Sequence, residues 1–388
     1  MTPTPLTKSA VVKLAFSNSV GFSAATAIPL WIGNAGSFGV DSWSAARLAF
    51  LQLICAAIAN LMTPILAGNL SSIRIAQITA GLAGVGYLLS ASGMPGLFEG
   101  GLILAGLSLG SLLASTNRIM AQSANVHSSF SRTYITECLF SGTAYLVGPI
   151  VVALGGLPAL FAALAALALI ACIFMGQNAA SHVPIDRSPA APRGTLNAAP
   201  AIALTGFAVL MTGQALVWLD AVGNGAAIGL SAVEVGRVMG GGVAAGLVGA
   251  LVAHAIGTRF GILKPLIAGG AALAASVLTM SSPSGLVSYS IGAIGVATST
   301  FILMPYVFTL LSGVDRSGRA AAMGPAFLLA GNSVAPFLTA WIILNASRLA
   351  TGVGGGGLIM LGVGLLIAGH AFGIRRVVTA GAEKPRDR

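Results

Sequence analysis

Residues 33–74 of this chain recur 190 positions later as residues 223–264. Gly33-Asn34 is matched by Gly223-Asn224, Gly39 by Gly229, Arg47 by Arg237 and Arg74 by Lys264. A second set keeps an offset of 187: Arg132, Phe140 and Pro149 correspond to Arg319, Phe327 and Pro336. Val147-Gly148-Pro149 returns in that register as Val334-Ala335-Pro336. With 52 glycines among 388 residues, the glycine matches carry little weight alone. Basic residues are scarce, and three of them hold register with their flanking segments. Such a chain folds as two similar halves in the same orientation.

The halves are too apolar for water. Hydrophobic residues make up 56% of the chain, charged residues only 7%, and the mean hydropathy is +0.93. A soluble fold needs far more charge to cover its surface. Apolar stretches of about 20 residues, enough to cross a bilayer core, follow one another almost without pause. About twelve spans are expected: 11–32, 48–68, 74–92, 100–121, 133–154 and 157–176, then 201–222, 238–257, 263–281, 286–311, 320–345 and 352–374. The runs are continuously apolar rather than alternating, so they predict helices and not a β-barrel. The first run exceeds a signal-peptide core and lacks a cleavage site, and reads as a retained helix.

A formal charge of +10 would suggest nucleic acid in a soluble protein. Here 15 of the 19 basic residues, among them Lys13, Arg74, Arg132, Arg259, Lys264, Arg316 and Arg376, fall at one set of alternate span ends. The opposite ends hold Arg47, Arg237 and Arg348, and Arg118 lies inside a span. Basic loops stay cytoplasmic, so both termini are expected inside a plasma membrane, of the bacterial inner-membrane type. The lipid bilayer, and not nucleic acid, is the expected surrounding. Cys55, Cys138 and Cys172 lie in spans without metal-ligand spacing and read as buried apolar thiols. The four histidines are scattered, and no zinc motif, phosphate-binding loop or serine nucleophile elbow is present. No cofactor is expected.

Residues 177–199 carry Pro184, Pro189, Pro192, Asp186, Arg187 and Arg193, and form the longest polar stretch. They read as a cytoplasmic linker between an N-terminal bundle (1–176) and a C-terminal bundle (200–388). Twelve spans, a parallel 6+6 repeat, the central linker and inward termini together resemble the major facilitator superfamily. The resemblance covers nearly the whole chain as architecture, while the local motifs depart from the family pattern. The loop between the second and third spans reads Gly68-Asn69-Leu70-Ser71-Ser72-Ile73-Arg74, with Ser72 where the family signature has Asp. Its counterpart, Gly257 to Lys264, has Thr258 at the acidic position. Asp315-Arg316-Ser317-Gly318-Arg319 is closer to the family pattern before the eleventh helix, and Gly148-Pro149 with Gly155-Gly156 is similar to part of its antiporter signature. The resemblance implies two six-helix bundles related by a pseudo-two-fold along the membrane normal. It also implies a central cavity lined by helices 1, 4, 7 and 10, and alternating access by rocking of the halves.

Ionisable groups inside spans are costly and therefore mark function or fixed pairs. Ser108, Ser111, Ser115, Arg118 and Gln122 step by three and four along the fourth span and share one helical face. Arg118 suits a bidentate contact with a substrate carboxylate or phosphate, or a fixed pair with Glu137 on the fifth span. Glu137 shares a face with Tyr134, Ser141 and Tyr145. A carboxylate whose partner moves between two states can load and release a proton, and Asp220 near the end of span 7 is the second such acid. Cavity candidates are Ser19, Ser23 and Thr26 on span 1, Gln214 and Trp218 on span 7, and Ser299 and Tyr306 on span 10. Each Ser or Thr also suits plain helix packing.

These features predict a monomeric secondary active transporter of a small organic solute, proton-coupled because carboxylates are present without a cluster of oxygen ligands. Arg118 favours an organic-anion symporter; the aromatic wall at Trp218 favours a proton-antiport exporter of amphipathic compounds. A non-transporting scaffold or receptor would not need polar stripes inside spans. A membrane-embedded enzyme would need a convergent catalytic set that the sequence lacks.

Overall fold

Apolar runs of this length leave backbone N–H and C=O groups no water to bond, so each closes its hydrogen bonds internally as a helix. The computed structural model describes residues 7–66, 70–121, 126–180, 198–315 and 319–382. Those residues form twelve long helices, with no β-strand among them, and by length and composition these supply the candidate membrane spans. The first half holds α1 (Lys8–Thr26), α2 (Ser42–Leu66), α3 (Ser72–Ala91) and α4 (Pro95–Ala121). The run Val126–Ala180 is divided at Gly156, whose φ of 70° and ψ of −167° no helix accommodates, into α5 (126–155) and α6 (157–180). The second half holds α7 (Ala198–Trp218), α8 (Ala232–Ile256), α9 (Leu263–Ser281), α10 (Leu286–Val314), α11 (Arg319–Asn345) and α12 (Arg348–Ala382). Of the expected linker 177–199, residues 177–180 continue α6 and 198–199 begin α7, while 181–197 lie outside the described residues.

The repeat becomes geometry at two glycines. Gly39 and Gly229 adopt φ of 72° and 81°, a left-handed conformation that residues with a Cβ rarely take. Each ends a short irregular segment, and two residues later comes the cap of the following helix. Asp41 Oδ1 accepts from Trp43 N at 2.9 Å and Ser44 N at 3.1 Å at the start of α2. At the equivalent position Ser231 caps α8, with Glu234 completing a capping box. The same place in the two halves is thus capped by different chemistry. These caps explain why α2 and α8 begin six residues before the expected spans, at 42 and 232 rather than 48 and 238. Hydropathy reads only the bilayer core, whereas a cap extends the helix beyond it. The first span also differs from a straight helix. It breaks at Ala27, just before Pro29, and continues at 46° to α1 through Ile28–Trp31 and a 3-10 segment to Phe38.

The halves meet through α2 against α11 and α5 against α8. Trp43 and Phe337 pack with ring centroids 4.2 Å apart and planes tilted by 49°, and the side of Gly236 that lacks a Cβ receives the Pro149 ring. Within the second half, α7 and α12 approach along glycines spaced by seven. A methyl carbon at Gly362 would lie 2.6 Å from Gly206 O, one at Gly355 2.7 Å from Gly213 O, and one at Gly369 2.9 Å from Ala199 O. Close backbone contact of this kind supplies dispersion energy where lipid offers no hydrophobic drive.

Candidate functional site

Glu137 and Ser141 are four residues apart on α5, so they share a face, and Ser141 Oγ donates to Glu137 Oε1 at 2.7 Å. That face meets α1, where Ser19 and Thr26 stand two turns apart. Ser19 lies beside the Glu137 carboxyl, its own hydroxyl donating to Ala15 O at 3.1 Å. Thr26 Oγ1 is 3.4 Å from Ser141 Oγ. The second carboxylate oxygen, Glu137 Oε2, is buried without a hydrogen-bond partner. Two turns further along α5, Tyr145 Oη accepts from Trp218 Nε1 of α7 at 3.2 Å, with the rings edge to face at 5.8 Å. Nearer the start of α5, the Tyr134 ring meets Phe308 of α10 at 6.5 Å. The carboxyl therefore sits on a helix that touches the opposite half both above and below it.

Arg118 is half-buried on α4. Among the described residues Arg118 and Glu137 form no ion pair, so the fixed pairing considered from sequence is not made. Equal depth on two helices does not fix which way each side chain turns. The turn that carries Arg118 is held instead by Asn18 of α1, whose Nδ2 donates to Thr116 Oγ1 at 2.8 Å and Asn117 Oδ1 at 2.9 Å. On the α4 stripe, Ser115 Oγ is buried without a partner, Ser108 is buried, and Ser111 donates to Leu107 O at 3.0 Å. Gln122 lies outside the described residues.

Other candidates are engaged elsewhere. Ser23 bonds Tyr87 Oη of α3 at 2.9 Å, inside the first half. Tyr306 Oη donates to Gly257 O at 3.0 Å and so binds α10 to the end of α8. Gln214 and Ser299 are buried on α7 and α10. Asp220 is ion-paired with Arg348 Nη1 at the start of α12, and Asn224 Oδ1 accepts from the same nitrogen at 3.1 Å. Both charged side chains keep about a third of their surface exposed, at 27% for Asp220 and 32% for Arg348. A carboxylate held this way is a clasp between α7 and α12, and a partly wet pair of this kind contributes roughly 1 kcal/mol at most. Asp220→Asn is therefore expected to cost a few degrees of melting temperature at most and to leave solute binding unchanged. Lost binding in well-folded protein would return Asp220 to the site.

Three polar groups escape the sequence reading. Gln52 of α2 is fully buried with neither amide atom bonded, and Asn332 Oδ1 of α11 is buried and unpartnered. Asn332 stands 187 residues after Tyr145, so the repeat itself offers the signal. Arg348 reads from sequence only as a loop charge.

No family model matches the sequence, and no curated protein resembles it closely enough in sequence to count as a relative. Solved structures do share its fold. The POT family transporter PepTSo superposes with a TM-score of 0.75 at 11% identity, covering 96% of this chain and 99% of that one. The human organic anion transporter MFSD10 (TETRAN) gives 0.65 at 15% identity, covering 94% and 100%. A point mutant of the nucleoside transporter NupG gives 0.64 at 14% identity, covering 94% and 99%.

Proposed function

We propose that this chain, which has the fold of the major facilitator superfamily, is a secondary active transporter that moves a small organic solute by alternating access and couples it to protons. The observation that carries the coupling is Glu137, an acid with one oxygen bonded to Ser141 and the other buried and bare. With one oxygen left bare, the carboxyl lacks the full set of donors that would hold it as a carboxylate. The helix that carries it, α5, packs on α8 across the junction of the halves, so rocking changes what the carboxyl meets. Arg118 and the unbonded Ser115 hydroxyl on α4 supply anion-binding groups that no partner among the described residues consumes. This favours an organic anion as solute. The exporter reading rests on Trp218, and its indole N–H is already given to Tyr145.

The test begins with a thermal-shift screen of purified protein against small organic acids, since a ligand raises apparent stability by mass action. A stabilising acid is then offered to proteoliposomes under an imposed pH gradient. Accumulation above equilibrium that a protonophore abolishes is expected. Accumulation indifferent to the protonophore would overturn proton coupling, and absence of any uptake would overturn transport. Arg118→Lys is expected to weaken binding of that acid at least about tenfold, because a point charge replaces a two-pronged donor. Undiminished affinity would remove Arg118 from the site.

The asymmetry of basic residues supports a plasma-membrane orientation with both termini in the cytoplasm. In a cysteine-free background, Ser188→Cys is expected to label from inside and Ser37→Cys from outside. The reverse pattern would invert the molecule.

A further inference from the structure

We propose that Thr26 and Ser141 form a hydroxyl relay that delivers the proton to Glu137 from the end of the molecule where α1 breaks. This rests on the reading of Glu137 as the proton-coupling acid and adds the route by which it is loaded. Ser141 spends its hydroxyl proton on Glu137 Oε1 at 2.7 Å. Its oxygen therefore has only lone pairs to offer Thr26, 3.4 Å away, and Thr26 is the donor of that contact. The chain is polarised in one sense, Thr26 to Ser141 to carboxylate. Thr26 is the last residue of α1. Immediately beyond it the helix breaks at Ala27, and Pro29, Leu30 and Asn34 of the following segment line a crevice shared with Pro149, Val222 and Gly236. The relay thus begins at the break in α1, on the side of a crevice between the halves, and runs from there to the carboxyl. Both hydroxyls are buried, at 8% exposure for Thr26 and 7% for Ser141.

The transfer conserves atoms. A hydronium at the crevice end protonates Thr26 Oγ1, the former Thr26 hydroxyl proton passes to Ser141 Oγ, and the former Ser141 proton passes to Glu137 Oε1. A carboxylate and a hydronium become a carboxylic acid and water, and both hydroxyls afterwards rotate back. Other polar groups also stand around the carboxyl. From its own helix Tyr134, Cys138 and Tyr145 lie near it. From α1 comes the Ser19 hydroxyl, with Thr26 reaching the carboxyl through Ser141, and α8 brings Gly240 and Val243 against Gly142 one turn on. Among the described residues no cation is paired with the acid.

The experiment mixes purified full-length protein rapidly into acid and follows the C=O stretch of protonated carboxyls by infrared difference spectroscopy. The Glu137 share is the part of the signal absent from Glu137→Gln. Thr26→Val, which keeps shape and removes the hydroxyl, is expected to reach the wild-type amplitude at least about tenfold more slowly, as loss of a positioned proton donor requires. Thr26→Ser should restore the rate. Should valine fail to pack, Thr26→Ala offers the same readout. Wild-type loading rates in a folded variant lacking the hydroxyl would overturn the relay and leave the coupling role of Glu137 standing. Absence of any Glu137 signal in the wild type would instead overturn the coupling role itself.

Discussion

Glu137→Gln is expected to bind and exchange its solute across proteoliposome membranes while losing all accumulation driven by a pH gradient. Glutamine keeps the shape and still accepts the Ser141 hydrogen bond within α5, which leaves the Thr26–Ser141 contact between α1 and α5 in place. It has no proton to take up. With one proton per solute, each pH unit of gradient supports about tenfold accumulation, and the variant should fall to equality on the two sides. Counterflow, in which labelled solute exchanges for unlabelled, needs only the rocking of the loaded protein and should persist. A variant that still concentrates solute with wild-type pH dependence would make Glu137 a structural acid. A variant that loses counterflow as well, while folded and able to bind, would show that the carboxylate is needed for rocking rather than for coupling.

Gly362→Val is expected to cost about 3 kcal/mol or more and to prevent recovery of folded protein, the upper end of overpacking penalties. The position faces Gly206 O and Leu210 N, each 2.6 Å from where a Cβ would stand, and these are backbone atoms that cannot step aside. Gly364, two residues along the same helix, meets nothing within 4 Å. Gly364→Val should therefore behave as wild type in melting temperature and yield. Equal behaviour of the two variants, measured by fluorescence-detected gel filtration after heating, would mean that α7 and α12 are not held by backbone contact.

Much of this architecture is legible in the chain because a bilayer imposes one rule on every backbone amide. The expected 263–281 span coincides with α9, and 320–345 differs from α11 by a single residue. What hydropathy misses are features set by single residues, such as the caps at Asp41 and Ser231 or the break just before Pro29. The site is legible in kind and less so in pairing. Periodicity places Glu137 and Ser141 on one face, and the hydrogen bond between them follows from that spacing. It does not tell that Arg118 makes no ion pair with Glu137, or that Asp220 finds Arg348 at a distance of 128 residues in sequence. Rotation of one helix against another is decided by packing across the bundle, of which a single helical period carries no trace. Ser23 shows the same limit: its stripe is legible, yet Tyr87 of α3 claims it.

The glycine register between α7 and α12 also sets how force travels through the molecule. Contacts repeat every seven residues, at 199, 206 and 213 against 369, 362 and 355. Sliding one helix past the other by less than a full repeat, about 10 Å, would drive side-chain carbons into carbonyl oxygens. The pair can neither creep nor ratchet in small steps, and it behaves as a single strut along one flank of the second half. Displacement imposed at one membrane face is then transmitted undiminished to the other. The junction of the halves is mixed by comparison: Trp43 and Phe337 meet through side chains alone, whereas Gly236 faces Tyr145 O as well as the Pro149 ring, so a rocking motion would open the ring contact more readily than the glycine one.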